Sequence, residues 1–453
     1  YGDHRDLHRV DRRQRQMCIR DSIYTHKITP RIRFVFKHIL TRILLISVDF
    51  TSKIEDFVAH NGPKMSYTKS PLGSEIFVRS SNIMFEQGVN DLEINVAKWE
   101  ETICFFNAGS KSSIPYDIFA ASFYLITRYE EYLPHVKDIH GRFTAEQSLA
   151  YEHNFLEKPV IDIWAYKFLA KLKEKFPEYS YPKRNYEFIS TIDVDNAFAF
   201  KHKSLLRSTG AFLKDLYKFN FLNIFNRLAV LINIRKDPFN NFEELLKYKN
   251  KYNVRTLFFF LIADYTTFDT NVSASKNKFR LLIKSIVDYA RVGLHPSYFT
   301  MQNSQLLKKE KQRLEEITNI PVKRSRQHYL RFSLPETYQN LIDLEIEEDY
   351  SMGYASNVGF RASTCTPFYF YDLDFEIQTP LKVFPFALMD TTLNDYMNLT
   401  PKQSLGRIRD LRNEVKDVDG TFITLFHNES LSDYLRWKGW KTLYESMLKI
   451  ATS

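Results

Sequence analysis

The stretch Tyr186-Glu-Phe-Ile-Ser-Thr-Ile-Asp-Val-Asp-Asn-Ala197 decides the fold, because it is an apolar run that ends in two acids one residue apart. The run predicts a buried strand. Side chains alternate between the two faces of a strand, so Asp193 and Asp195 are expected on the same side. Two carboxylates confined to one small volume repel each other, and a cation or a shared proton relieves that repulsion. The alternative is that the two acids only end the strand and cap the following helix.

Strand-like and helical runs alternate from residue 183 onward, a pattern typical of a βα-repeat fold with a parallel sheet. About seven strands over roughly 270 residues predict an α/β fold with a distorted (β/α) barrel, in which reactive groups lie at the C-terminal ends of the strands. The predicted strands are Glu187–Val194, Arg255–Ala263, Val292–His295, Val322–Arg326, Glu345–Ser351, Val383–Met389 and Thr421–His427. The clearest predicted helices are Phe242–Lys251, Lys278–Arg291, Gln302–Thr318, Pro335–Leu344, Pro401–Val415 and Asp433–Ala451.

We expect two domains after a short leader. Residues 1–22 are charged without an apolar period, and 17–22 resemble the translation of a sequencing-library adapter, so they predict a non-native or disordered leader. A basic nucleic-acid-binding arm is the competing interpretation. Residues 23–182 predict a smaller mixed α/β accessory domain, and residues 183–453 predict the barrel domain. The accessory domain begins with an amphipathic helix, for which packing against its own domain and a membrane-surface role are both open.

The composition, 44% hydrophobic and 15% aromatic over 453 residues, is that of a globular protein. The net charge of +9 is modest, and Lys and Arg form no aromatic-interleaved basic stripe, so nucleic-acid binding is not expected. No apolar run reaches about 18 residues and no signal peptide is recognisable, which predicts no transmembrane segment. Cys104 and Cys365 lack metal-type spacing and suit a reducing compartment. We therefore expect a cytoplasmic protein, with its oligomeric state open.

The histidines of the C-terminal part lie at predicted strand ends. Only four of the twelve histidines follow residue 182, namely His202, His295, His328 and His427, and all but the first stand at or just past a strand. In a barrel those ends converge, so the last three are expected to meet Asp193 and Asp195 at one mouth. Two imidazoles and one carboxylate around an open position suit Zn²⁺ or a related divalent ion that activates water. Taken one at a time, each histidine also fits a satisfied core or loop residue.

Several of these residues stand in motifs that resemble those of polysaccharide deacetylases, carbohydrate esterases with a chitooligosaccharide-deacetylase homology domain. Thr191-Ile-Asp-Val-Asp195 resembles their Thr-Phe-Asp-Asp stretch with one residue inserted, and Gly293-Leu-His-Pro-Ser297 resembles their metal-binding second motif. Arg326-Gln-His-Tyr329 stands where they carry Arg-x-Pro-Tyr, and Asp349-Tyr-Ser351 stands where a fourth motif is expected. Leu425-Phe-His-Asn428 resembles their closing Leu-x-His.

The resemblance covers roughly residues 185–450 and is greatest with a divergent subgroup that has a distinct N-terminal domain. It implies a distorted barrel of about seven strands and a divalent metal, for which we expect Zn²⁺. It also implies individual roles: Asp193 as the base, Asp195 and His295 as metal ligands, His427 as the acid, Arg326 orienting the base and Asp349 supporting His427.

The chain departs from the family pattern in one important place. The second motif usually has another histidine four residues after the first, but Phe299 occupies that position here. The third metal ligand is therefore missing from its normal position. We hypothesise that His328 replaces it, because His328 stands at a predicted strand end where the family has a proline.

Four further residues are candidates for substrate binding: Asp264, His202, Arg361 and Tyr329. A turn cap explains Asp264 about as well, and a solvated basic turn explains His202. Arg361 lies in a glycine-bearing polar loop followed by aromatic residues, for which ordinary loop packing is the alternative.

These features predict a metal-dependent hydrolase that removes N-acetyl groups from a polysaccharide or amino-sugar substrate. Two other functions remain open. One is a catalytically inactive barrel that acts in carbohydrate binding or assembly. The other is a two-carboxylate glycoside hydrolase, for which Asp193 and Asp195 would have to stand roughly 5–9 Å apart.

Overall fold

The structure is a computed structural model and describes residues 21–203 and 205–453. The chain forms two compact units. Unit 1 contains the described residues up to 133 together with 159–185 and 371–379, and unit 2 contains 134–158, 186–370 and 380–453. The domain boundary near residue 182 remains a prediction, and the structure differs from it by assigning 134–158 to unit 2 and 371–379 to unit 1.

Unit 1 contains a parallel four-stranded sheet in the order β2-β1-β3-β4. Its strands are β1 (Asp21–Tyr24), β2 (Val48–Thr51), β3 (Lys64–Thr68) and β4 (Ile76–Arg79), and β5 (Ala97–Trp99) pairs antiparallel with β6 (Thr102–Cys104). Its helices are Pro30–Phe36, Ile54–Ala59, Ile118–Ile126, Tyr129–Tyr132 and Val160–Lys175, with a π-helix over Lys37–Ile43. The predicted leader lies outside the described residues except for Asp21 and Ser22, which pair with β2.

The first helix of unit 1 packs inward. Thr29 caps it by accepting a hydrogen bond from the amide of Ile32, and Pro30 occupies its first turn. Ile32, Phe36 and Ile39 of this helix and its π-helical continuation are fully buried. The apolar face is therefore used within unit 1, which answers the choice left open by the sequence. No helix among the described residues has both the length and the hydrophobicity that a membrane crossing requires.

Unit 2 is built on a parallel sheet in the order β13-β11-β10-β9-β8-β7-β15-β14, to which β12 is added beside β13. The strands are β7 (Glu187–Val194), β8 (Arg255–Leu261), β9 (Arg291–His295), β10 (Arg324–Ser325), β11 (Glu348–Asp349), β12 (Phe368–Asp372), β13 (Ile377–Val383), β14 (Leu388–Met389) and β15 (Thr421–His427). The end of β12, residues 371–372, and the start of β13, residues 377–379, are assigned to unit 1. Among the described residues no strand pair closes the sheet, so the mixed α/β class is observed and the barrel remains a prediction.

The helices of unit 2 fall mostly between these strands. They are Leu149–Glu152, Leu205–Tyr217, Phe221–Leu231, Phe242–Lys251, Asn277–Val287, Ser304–Thr318, Glu336–Asp343, Pro401–Asp417 and Trp440–Ala451. The predicted bounds of β7, β15 and the helix Phe242–Lys251 agree with the structure residue for residue. The predicted strand Val383–Met389 is wrong, because Val383 ends β13 and Leu388 begins β14. Pro385, which has no amide proton to donate to a sheet, lies in the break.

Alternate residues of the central strands share one face of the sheet and form an apolar core. This buried cluster includes Ile189, Leu257, Phe259, Ile423 and Leu425. The same alternation continues along β7 to Asp193 and along β15 to His427. The polar side chains therefore stand at the carboxyl end of an apolar core, which shields them from water on one side.

Gly293→Ala should destabilise the protein, because a Cβ at residue 293 would stand 2.5 Å from the ring of Phe259. Overpacking of this kind costs roughly 1–3 kcal/mol. The matched control is Gly406→Ala, in a helix where an added Cβ meets nothing within 4 Å. Alanine there should stabilise the helix by roughly 0.5–1 kcal/mol. Urea denaturation measures both changes, and a Gly293→Ala variant as stable as wild type would contradict the packing.

Candidate metal centre

The parallel sheet brings polar residues from distant parts of the sequence to one edge. His427 at the end of β15 pairs in register with Asp193 near the end of β7, and His295 ends β9 beside Leu261 of β8. His328 follows the end of β10 by three residues. Because all these strands run parallel, their C-terminal ends point the same way and the side chains beyond them meet.

The carboxylate of Asp195 lies at the centre of this group. His295 Nε2 is 3.2 Å from Asp195 Oδ1, while His328 Nε2 and His427 Nε2 are 3.7 and 3.8 Å from Asp195 Oδ2. The candidate ligand atoms of Asp195, His295 and His328 all lie within 4.8 Å of one another. The structure therefore brings together the side chains, including that of His328, that were expected to meet at the C-terminal ends of the strands.

Each of the three histidines is held through its other ring nitrogen. His328 Nδ1 lies 2.8 Å from Asp269 Oδ1, His427 Nδ1 lies 2.7 Å from Asp390 Oδ1, and His295 Nδ1 contacts the backbone carbonyl of Arg326. A proton on Nδ1 that is donated to such an oxygen leaves the lone pair of Nε2 free. Oxygen acceptors behind the rings thus fix both the tautomer and the direction in which Nε2 points.

A divalent cation fits this donor set. Asp195 Oδ1 is buried and accepts no hydrogen bond of acceptable geometry, although His295 Nε2 is only 3.2 Å away. A buried anionic oxygen without a donor is costly, and an ion bound between it and two imidazole nitrogens would satisfy it. One carboxylate and two imidazoles, with a position left open, are a common ligand set for catalytic zinc.

The pKa shifts show what balances the site without an ion. Burial alone would raise the pKa of Asp195, but His328, His295 and His427 hold it well below its usual value. Burial lowers the pKa of His328, and Asp195 with Asp269 outweighs that effect and raises it to about 9. Burial likewise lowers the pKa of His427, but Asp390 and Asp195 raise it well above its usual value. A proton and a metal ion therefore compete for the imidazole of His328.

Asp193 lies beside this group and is fixed by Arg326. Asp193 Oδ2 is 3.7 Å from His295 Nε2, and Asp193 Oδ1 is 3.2 Å from Arg326 Nη1. The buried Arg326 also donates to Thr191 Oγ1 at 2.7 Å and to the carbonyl of Tyr350 at 3.0 Å. These bonds hold the guanidinium in place, so one oxygen of Asp193 is tied down and the other faces the histidines.

The prediction that Asp349 supports His427 is wrong. Asp349 lies on β11, which four strands separate from β15, and its carboxylate accepts hydrogen bonds from Ser325 Oγ at 2.8 Å and from the amide of Ser351 at 2.8 Å. Asp390, directly after the neighbouring strand β14, takes its place and also accepts from the amide of His427 at 2.6 Å. The sequence did contain a signal for Asp390, because this residue directly follows the end of a predicted strand.

The residues predicted to bind substrate separate into two groups. Tyr329 lines the cavity around the cluster, whereas Asp264, His202 and Arg361 do not. Asp264 is exposed and paired with Lys309 and Arg313, each at 3.0 Å. His202 packs edge-on against Phe198, with ring centroids 4.7 Å apart. The guanidinium of the buried Arg361 lies 4.2 Å from the centre of the Phe332 ring. Surface ion pairs thus account for Asp264, and packing against aromatic rings accounts for His202 and Arg361.

The cavity above the cluster has a volume of about 310 Å³ and an aromatic rim. Phe268, Tyr329 and Tyr396 line it, and Tyr396 is 47% exposed. Arg142, which donates to the carbonyl of Tyr329 at 2.8 Å, and Arg436, which pairs with Glu429 at 3.2 Å, also line it. Apart from Tyr329, sequence analysis missed these lining residues and also Asp269. They lie in loops or in short π-helical and 3₁₀-helical turns, where no periodicity indicates which side chain faces a cavity.

Comparisons with known proteins give a family match for the first part of the chain and a weak similarity of the chain to several solved structures. The model of DUF7033, a family of unknown function, matches residues 22–177. No curated protein matches the chain.

Similar solved structures include a candidate polysaccharide deacetylase from Mycobacterium smegmatis, with 14% identity, a TM-score of 0.40 and coverage of 60% of this chain and 86% of that one. The polysaccharide deacetylase Bc1974 from Bacillus cereus shows 10% identity and a TM-score of 0.30, covering 59% and 88%. A CE4 family pseudoenzyme from Bacillus anthracis shows 14% identity and a TM-score of 0.28, covering 58% and 62%.

Replacing His328 should abolish stable metal binding, because it removes one of the three candidate ligands. After loading with Zn²⁺ and desalting, wild type should retain about one equivalent, and Asp195→Asn, His295→Ala and His328→Ala should each retain far less. Asp269→Asn should weaken binding roughly 10–100-fold, since Asp269 orients His328.

His202→Ala is the matched control and should retain the metal, because His202 does not line this cavity. Elemental analysis measures the occupancy. Full occupancy in His328→Ala would show that the third ligand comes from another residue.

Proposed function

We propose that unit 2 is a metal-dependent hydrolase that removes N-acetyl groups from an amino-sugar or polysaccharide substrate. The observation that carries the proposal is the convergence of Asp195, His295 and His328 within 4.8 Å of one another, beside a second carboxylate and a third imidazole. The motif resemblance supports the same reaction. It also supports the proposal that the parallel sheet curves into a distorted (β/α) barrel.

Asp195, His295 and His328 would hold the ion, and a carboxylate with two imidazoles suits Zn²⁺. A divalent ion in such a site supplies Lewis acidity for the hydrolysis of an amide. His328 substitutes in this proposal for the histidine that Phe299 replaces. Phe299 is partly exposed and packs against Phe268, with ring centroids 5.9 Å apart.

Asp193 is the general base in the proposed reaction. It accepts a proton from water while the water oxygen forms a bond to the carbonyl carbon of the acetyl group. Arg326 keeps one oxygen of Asp193 engaged, so the other is directed to the reaction site.

His427 is the general acid. As the bond between carbonyl carbon and nitrogen breaks, Nε2 of His427 gives its proton to the leaving nitrogen, so that acetate and a free amine are formed. Asp390 bonds to Nδ1 and favours the protonated imidazole, which raises the pKa of His427. Asp193 thus accepts a proton and His427 donates one. The two residues lie opposite each other on adjacent strands, β7 and β15.

The aromatic rim of the cavity favours a sugar as the substrate. Flat rings such as those of Tyr329 and Tyr396 offer apolar faces to the C–H surfaces of a pyranose. The cavity of about 310 Å³ is at the lower end of the range for small-ligand sites, which suits one sugar unit.

Asp193→Asn should reduce acetate release by roughly 10²–10⁴-fold, because the amide cannot accept the proton. Zn²⁺ occupancy should remain near that of wild type, since Asp193 is not one of the three candidate ligands. Acetate release from N-acetylated chitooligosaccharides by Zn²⁺-loaded protein measures the activity.

Two results would contradict the proposal. Wild type that binds Zn²⁺ and N-acetylated sugar but releases no acetate would be an inactive binding protein. Release of reducing ends without acetate, insensitive to chelators, would indicate a glycoside hydrolase that uses Asp193 and Asp195.

Asp390→Asn should lower kcat roughly 10–100-fold with little change in KM, because Asp390 orients His427 without lining the cavity. Asp264→Asn is the matched control and should leave kcat unchanged, because Asp264 is exposed and takes part only in surface ion pairs. Steady-state kinetics separates the two parameters. An unaffected kcat in Asp390→Asn would mean that His427 is not the acid.

A further inference from the structure

Two consecutive helices of unit 2, Leu205–Tyr217 and Phe221–Leu231, carry an exposed apolar surface. We call residues 205–234 the helical hairpin. Eleven of the 28 exposed large hydrophobic side chains of the described residues lie between Leu213 and Ile234. Tyr217, Phe219, Phe221 and Phe225 are 85%, 77%, 62% and 60% exposed. Such a concentration marks an interaction site, whereas single exposed apolar residues do not.

The exposed residues follow the helical repeat. In the second helix Phe221, Phe225 and Leu228 recur at intervals of four and three residues, so they form a stripe on one face. The same helix buries Ala229 and Val230 on another side. The stripe is therefore an outward face of a helix that already packs against its own unit by other residues.

Polar bonds join the two helices of the hairpin to each other, and contacts with Phe200 join the hairpin to the rest of unit 2. Asp215 of the first helix accepts from Asn223 Nδ2 and from Arg227 Nη2 of the second, each at 2.7 Å. Arg227 lies over the ring of Phe200 at 4.9 Å, and Val230 packs in a cluster with Phe200. These contacts hold the helix that carries the apolar stripe in place.

The positive charge of the chain is concentrated at the same place. Residues 201–236 contain eight Lys and Arg against one Asp, a net +7 of the +9 carried by the whole chain. Lys214, Lys218, Arg235 and Lys236 are exposed. This departs from the sequence-based expectation that Lys and Arg form no aromatic-interleaved basic stripe. The hairpin and the residues that flank it, 201–203 and 235–236, therefore join an apolar stripe with a basic surface.

We propose that the helical hairpin docks on the surface of an anionic lipid bilayer. An amphipathic helix with Lys and Arg beside Phe and Leu lies in the membrane interface, with its apolar face about 5–10 Å deep. Each basic residue near an anionic leaflet adds to the attraction. A second copy of the chain is a poorer partner, because a symmetric contact would set one basic surface against another. The inference does not depend on hydrolase activity.

Co-sedimentation of the full chain with lipid vesicles tests this inference. Vesicles of phosphatidylcholine with roughly one third phosphatidylglycerol should bind the protein, while pure phosphatidylcholine should bind at least about ten-fold less. Raising the salt to about 1 M, where the screening length is about 3 Å, should release much of the bound protein.

Two variants separate the contributions of charge and apolar surface. Lys214→Glu with Lys218→Glu should weaken binding at least about ten-fold, and Lys402→Glu with Lys449→Glu, exposed lysines elsewhere in unit 2, makes the same change in net charge without this loss. Phe225→Ser should also weaken binding, whereas Phe375→Ser should not, although Phe375 is similarly exposed at 67%.

Three outcomes would overturn the inference. The first is no binding of wild type to anionic vesicles. The second is equal loss in the hairpin and control variants, which would mean that net charge alone drives binding. The third is a dimer in sedimentation equilibrium that Phe225→Ser dissociates, which would assign the stripe to a second copy.

Discussion

The candidate site depends on one constraint: three histidines are each fixed at Nδ1 by an oxygen acceptor and so turn Nε2 toward Asp195. Without those acceptors an imidazole can rotate or change tautomer, and the nitrogens would not face a common point. The acceptors come from different kinds of structure. Asp390 follows a strand, Asp269 lies in a loop and Arg326 offers a backbone carbonyl. The sheet positions the histidines, and these three oxygen acceptors orient their rings.

Burying so many charges requires compensation. Asp193 and Arg326 are both buried, and they stand at the end of an apolar core where an unpaired ion is costly. Arg326 balances Asp193, while Asp195 lacks a partner of that kind and relies on imidazoles that must carry protons to help. A bound cation would neutralise Asp195 without those protons. The same arrangement would then serve the proposed chemistry, since it leaves Asp193 free to accept a proton and His427 able to donate one.

Sequence analysis predicted the site residues that lie at the ends of strands. It did not predict the contacts that depend on the order of the strands in the sheet or on the path of a loop. Asp193, Asp195, His295 and His427 were found because apolar runs that end in polar residues mark strand ends. Asp349 was assigned to His427 because the order of strands in a sheet cannot be read from their order in the chain, and β11 lies far from β15. Asp269 was missed, since long-range contacts alone bring its loop to His328.

The central claim is that Asp195, His295 and His328 bind one ion together. The most direct measurement is a crystal structure of the full chain loaded with Zn²⁺, with an anomalous map recorded at the zinc edge. The account predicts one strong peak about 2.0–2.2 Å from an oxygen of Asp195 and from Nε2 of His295 and His328. A map without a peak between these residues, or with an ion that His328 does not contact, would contradict it.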